Sequence, residues 1–271
     1  MRLILSPMRH PNRNLLVLTC TLMMTAGHLY GEVKMQVRGG RPIVDGVYVN
    51  GHGPYRFLLD TGTNVNLIEL GLARTIGMNA TFQIEVASAA GKTPMPGSDR
   101  NQVVLDRVKA DGQKFLFSRL DALHAVLPDV RGVLGQWFLS QFDYTLDLRG
   151  QRIEFGEQNL SGTRATFRLL NGRAAVSTSL GELVLDSGAT RLVRFGVDPG
   201  RSDNQGYMRT VAGSRLVGMA FSILSIQGRD IWSGDVVAIP SRSEPGVDGL
   251  LPLSLFQAIY VSNSEGYVVF K

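Results

Sequence analysis

Two aspartates of this chain stand in the same local setting: Asp60 in Asp60-Thr61-Gly62 and Asp186 in Asp186-Ser187-Gly188, 126 residues apart. Two carboxylates brought together cannot both ionise easily. They share one proton, so one member can act as a base while the other acts as an acid. Each tripeptide is also turn chemistry, in which the glycine lets the chain fold back closely beneath the carboxylate and the Thr61 or Ser187 hydroxyl can brace the turn. One copy alone says little, so the surroundings must decide.

The surroundings repeat. Each aspartate ends an apolar run that reads as a buried strand, Tyr55-Arg56-Phe57-Leu58-Leu59 in the first copy and Glu182-Leu183-Val184-Leu185 in the second. Ala89-Ala90-Gly91-Lys92 follows the first at a hairpin-like position, and Val211-Ala212-Gly213-Ser214 follows the second at a similar distance. Then come Gly132-Val133-Leu134-Gly135 and Asp248-Gly249-Leu250-Leu251-Pro252, each succeeded by two more strand-like segments around a glycine turn. The same parts in the same order mark an internal duplication. Short β-branched segments punctuated by Gly, Asn and Asp predict a mainly β protein, with short helices only near residues 69–77, 137–141 and 253–257.

Residues 35–271 resemble the aspartic proteases, in particular the compact bacterial retropepsin-like branch, and Gly53-Pro54-Tyr55-Arg56-Phe57-Leu58-Leu59-Asp60-Thr61-Gly62-Thr63 is the best-matching stretch. The apolar-apolar-Gly element that this family places under its catalytic loop is similar to Val133-Leu134-Gly135, whereas the second copy departs from it with Leu250-Leu251-Pro252. The resemblance implies two homologous β-barrel lobes, 32–158 and 159–271, with an active-site cleft between them. It also implies an aspartic-type endopeptidase with Asp60 and Asp186 as the catalytic dyad, supported by Thr61, Gly62, Thr63, Ser187 and Gly188. In that family the ionised carboxylate activates a water, the protonated one polarises the scissile carbonyl, and neither metal nor cofactor takes part. Hairpin flaps cover the family's cleft; the candidates here are Ala90 and Gly91 in the first half, Ala212 and Gly213 in the second. Phe115, Phe117, Met95, Phe195, Met219 and Trp232 are candidate lining residues.

The two copies differ in detail. Thr63 follows the first motif where Ala189 follows the second, so a hydroxyl could donate to Asp60 alone, which makes Asp60 the expected anion and Asp186 the expected acid. Proline at 252 has no amide hydrogen and leaves the packing under the second loop less well specified.

Residues 1–31 differ in kind from the rest. Arg2, Arg9 and Arg13 precede the apolar run Leu15–Met24 and small residues follow, which is the layout of a secretory signal peptide. Its removal lowers the net charge from +5 to about +2 and takes away Cys20, the only cysteine. The expected product is a periplasmic or secreted bacterial monomer acting on peptides or proteins, membrane-tethered only if the presequence stays on. Neither nucleic acid nor metal is expected as a partner. Gly91-Lys92-Thr93 lacks the earlier glycine of a phosphate-binding loop, since Val86 stands there, and no Gly-x-Ser-x-Gly elbow is present. His52 and His124 have no zinc-ligand spacing. The alternative function is a catalytically silent peptide-binding protein of the same fold.

Overall fold

Each aspartate follows consecutive apolar residues because the strand they form is buried on both faces. The computed structural model describes residues 31–88, 91–197, 205–210, 213–242 and 244–271, and the fold is mainly β. Ten strands come first: β1 (Glu32–Arg38), β2 (Arg41–Val49), β3 (His52–Leu59), β4 (Leu67–Glu69), β5 (Phe82–Ser88), β6 (Gly91–Leu105), β7 (Val108–Ser118), β8 (Gly132–Leu134), β9 (Tyr144–Asp147) and β10 (Arg152–Phe155). Ten more follow: β11 (Thr163–Leu170), β12 (Arg173–Thr178), β13 (Gly181–Asp186), β14 (Val193–Phe195), β15 (Gln205–Thr210), β16 (Gly213–Ile226), β17 (Arg229–Ile239), β18 (Gly249–Pro252), β19 (Ala258–Ser262) and β20 (Tyr267–Phe270). Helices α1 (Leu70–Thr75), α2 (Asp121–His124) and α3 (Gln136–Leu139) lie in the first set, and a 3-10 turn at Leu253–Leu255 takes the place of α3 in the second.

The pairings repeat with an offset of ten strands. β3 runs parallel to β8 and β13 parallel to β18, while β4 and β14 pair antiparallel with β8 and β18 and parallel with β7 and β17. Alternate residues of each central strand therefore face different cores. Phe57 and Leu59 point into the main core, while Leu58 packs with Ile43, Leu127, Val130 and Val133. In the second set Leu183 and Leu185 point into the main core and Val184 packs with Ala175 and Val247. Full burial of one such side chain contributes roughly 1.5–3 kcal/mol, so both strands ending at an aspartate are firmly anchored.

Six antiparallel strands join the two sets in the order β1-β10-β9-β19-β20-β11. Replacing every strand by its counterpart reverses this order and leaves it unchanged, so an approximate twofold axis passes between β9 and β19. Equivalent elements of the two sets meet at such an axis.

Two tight turns use this arrangement. Arg38 pairs with Arg41 across Gly39-Gly40, and Leu170 pairs with Arg173 across Asn171-Gly172. All four turn residues have positive φ, between 50° and 80°, the geometry that suits a two-residue hairpin and selects Gly and Asn. Each turn lies against the opposite set: a Cβ on Gly40 would come within 3.2 Å of Ser254, and one on Gly172 within 3.8 Å of Asn64. Arg41 and Arg173 leave these turns at equivalent positions.

Candidate active site

The loops after β3 and β13 cross at the axis and are tied together by their hydroxyls. Thr61 Oγ1 accepts from the Ser187 amide (3.0 Å) and donates to the Leu185 carbonyl (2.8 Å). Ser187 Oγ accepts from the Thr61 amide (3.0 Å) and donates to the Leu59 carbonyl (2.7 Å). Both side chains are buried, so each hydroxyl satisfies two backbone groups of the opposite loop that water does not reach.

The glycines are required by the partner loop rather than by their own conformation. Neither Gly62 nor Gly188 has a positive φ, but a Cβ on Gly62 would lie 2.3 Å from Asp186 Cγ, and a Cβ on Gly188 would lie 2.7 Å from Asp60 Oδ2. Each glycine is thus the floor on which the other motif's carboxyl rests, and the two carboxyls are held facing each other.

Burial pushes both acids above the ordinary carboxylate range. For Asp60, burial and then the charge of Asp186 raise the pKa to about 8. Asp186 is raised by burial too, but the amides of Ala189 and Gly188 oppose the shift. Asp186 Oδ1 accepts both of these amides, at 2.8 and 2.9 Å, whereas among the described residues Asp60 Oδ1 accepts only that of Gly62, at 2.9 Å. Donors stabilise the anion, so Asp186 is the charged member and Asp60 holds the proton. This reverses the assignment expected from Thr63. The Thr63 hydroxyl accepts from the Val65 amide at 3.5 Å and, among the described residues, makes no hydrogen bond to Asp60. Ala189, which has no hydroxyl, supplies a backbone amide instead. Thr63 still supports its loop, since its carbonyl accepts from the Gln136 amide at 3.0 Å and its methyl group packs over Gly135.

The departure at Pro252 is matched by a second one. Under the first loop the Gly135 amide donates to the Asn66 side chain at 2.9 Å. Six residues after Asp186, where Asn66 would have its counterpart, stands the buried Leu192. Where the amide donor is missing, its acceptor is missing too, and β13 still pairs with β18 through to Asp186 and Pro252. The second loop loses no packing by carrying proline.

Of the flap candidates, Gly91 and Gly213 fall at the ends of two long hairpins. Gly91 pairs with Ser88 as the innermost pair of β5 and β6, and Gly213 pairs with Thr210 as that of β15 and β16. Ala90 and Ala212 lie outside the described residues, as does the presequence through residue 30. Phe115 and Phe117 are buried in the main core rather than lining a cleft. A cavity of about 460 Å³ at the six-stranded sheet, lined in part by Thr145, Arg152, Glu154, Gln257 and Lys271, shares no residue with the two loops.

Three residues near the dyad escape a reading for motifs. Arg41 Nε donates to the Gly188 carbonyl at 2.9 Å, and Arg173 Nη1 donates to the Gly62 carbonyl at 3.2 Å. The signal for them was present as Gly40-Arg41 and Gly172-Arg173, each shortly before an aspartate. Gln136, buried at the start of α3, donates to the Thr61 carbonyl at 2.9 Å. Its counterpart, Leu253, has no donor.

The first of the two loops lies in a stretch that has a parallel in known proteins. Residues 46–138 match the aspartyl protease family model. The matched stretch runs from β2 through Asp60, the first hairpin and β8 into α3, and it is consistent with a retropepsin-like aspartic protease. No curated protein matches the chain.

Proposed function

We propose that this protein is an aspartic endopeptidase that cleaves peptide bonds with a water activated between Asp60 and Asp186. The observation that carries this reading is the facing of the two carboxyls, each resting on the other motif's glycine. Because Asp186 accepts two amides and Asp60 one, Asp186 is the base and Asp60 the acid. Asp186 takes a proton from the water as its oxygen bonds to the scissile carbonyl carbon, while the Asp60 proton passes to the carbonyl oxygen. The resulting diol collapses as the C–N bond breaks: the leaving nitrogen takes a proton from Asp186, and Asp60 recovers its own from the diol. Burial supports this chemistry, since each charge and hydrogen bond acts more strongly where water is excluded. An extended substrate would pair with the edges of the β5/β6 and β15/β16 hairpins, leaving its alternate side chains to select the sequence.

The basic and apolar presequence supports export, to the periplasm or beyond the cell, with cleavage near residue 31. The test of the function is turnover of a mixed peptide library by the wild type, Asp60→Asn and Asp186→Asn. Loss of turnover in both variants is expected. Equal turnover by the wild type and Asp60→Asn rejects the dyad, and binding of peptides without any turnover by the wild type identifies a silent peptide-binding protein.

A further inference from the structure

Arg41 and Arg173 are equivalent by position, yet their charges are handled differently. Arg173 is buried, and its second Nη is paired with Glu244, so its charge is cancelled where it lies. Arg41 is half-buried and, among the described residues, has no carboxylate within ion-pairing distance. Its Nε is occupied by the Gly188 carbonyl, which fixes the guanidinium beside the loop on which the Asp60 carboxyl rests. The two Nη groups extend from this anchor as a planar fork. A fixed, half-desolvated guanidinium with both terminal nitrogens available is suited to bidentate capture of a carboxylate.

From this asymmetry we infer that Arg41 is a specificity-determining residue that selects an acidic side chain of the substrate, on the side of the scissile bond lying over the Asp186 loop. No matching preference exists on the other side, where Glu244 already occupies Arg173. The inference depends on reading the dyad as the centre that engages peptides, but not on turnover.

The test uses full-length protein carrying Asp60→Asn, so that peptides are bound and not consumed, and a decapeptide library with Glu or Gln fixed at each position in turn. Binding is expected to favour Glu over Gln by roughly tenfold at one position only, with the preference shrinking as salt is raised. Adding Arg41→Gln should bring the Glu-to-Gln ratio close to one, while Arg41→Lys should retain part of it. The salt dependence is read without any Arg41 variant, so the test survives if those variants fold poorly. Binding with no Glu preference, equal preferences on both sides, a preference that Arg41→Gln leaves intact, or no peptide binding at all overturns the inference. Turnover of the same library by the wild type is scored separately: cleavage abolished by Asp60→Asn without a Glu preference leaves the protease reading standing and removes only the role of Arg41.

Discussion

Replacing Thr61 by valine removes one hydroxyl and orphans two backbone groups. The Ser187 amide loses an acceptor at 3.0 Å and the Leu185 carbonyl loses a donor at 2.8 Å. Thr61 is 2% exposed and Ser187 1%, so water cannot replace either bond. A buried unsatisfied polar group costs about 1–3 kcal/mol, and the carbonyl, with a second lone pair, falls at the low end. The expected loss for Thr61→Val is therefore about 2–4 kcal/mol. Ser187→Ala orphans the Thr61 amide and the Leu59 carbonyl and should cost a similar amount. The double variant should cost less than the sum, by about 1 kcal/mol, because loops already parted by the first substitution have less left to lose. Thr63→Val is the control: its hydroxyl accepts one amide at 3.5 Å, so its loss should cost under about 0.5 kcal/mol. Urea unfolding followed by the fluorescence of Trp137 and Trp232 measures all four, with unchanged slopes required for comparison. A Thr61→Val cost below about 0.5 kcal/mol, or one matched by Thr63→Val, refutes the assigned bracing.

The pH dependence follows from the raised Asp60. Its pKa moves from 3.8 to about 8 on folding, so between those values the folded chain holds a proton that the unfolded chain releases. Its contribution is complete below the unfolded value and is lost as pH rises through the folded one. Unfolding free energy should therefore fall by about 1 kcal/mol per pH unit across this window, and Asp60→Asn should flatten the fall; a slope unaffected by Asp60→Asn would contradict the assignment. Turnover should decline as pH rises through about 8, and Thr63→Ala should leave both limbs of the pH profile in place; a displaced limb would restore a role for its hydroxyl. Gly62→Ala, whose Cβ would fall 2.3 Å from Asp186 Cγ, should lower kcat at least a hundredfold, a geometric effect read by comparing kcat with peptide affinity. Gln136→Leu, which copies Leu253, removes the donor to the Thr61 carbonyl and should cost about 1 kcal/mol in the same urea assay.

The amino-acid sequence by itself determined the duplication, the mainly β character and the two aspartates that the fold brings face to face. Those features are local or periodic: an apolar run ending in Asp-Thr-Gly is written in adjacent residues, and its repetition needs no coordinates. Strand faces were legible as well, because Phe57-Leu58-Leu59 and Leu183-Val184-Leu185 are apolar throughout only if both faces are covered. Which carboxyl holds the proton was not legible. The hydroxyl of Thr63 is visible in the sequence, whereas the amide of Ala189 is a backbone group present at every residue but proline, and only the turn aims it at Asp186. Gly62 and Gly188 looked like turn residues and are in fact spacers for the opposite carboxyl, a demand set by atoms in the other half of the chain. The same holds for Arg41 and Arg173, whose targets lie across the axis, and for Pro252, which is harmless because Leu192 replaces an acceptor that no longer has a donor. Contacts between equivalent elements exist only once the two halves are brought face to face, and the tertiary structure alone decides which atoms then meet.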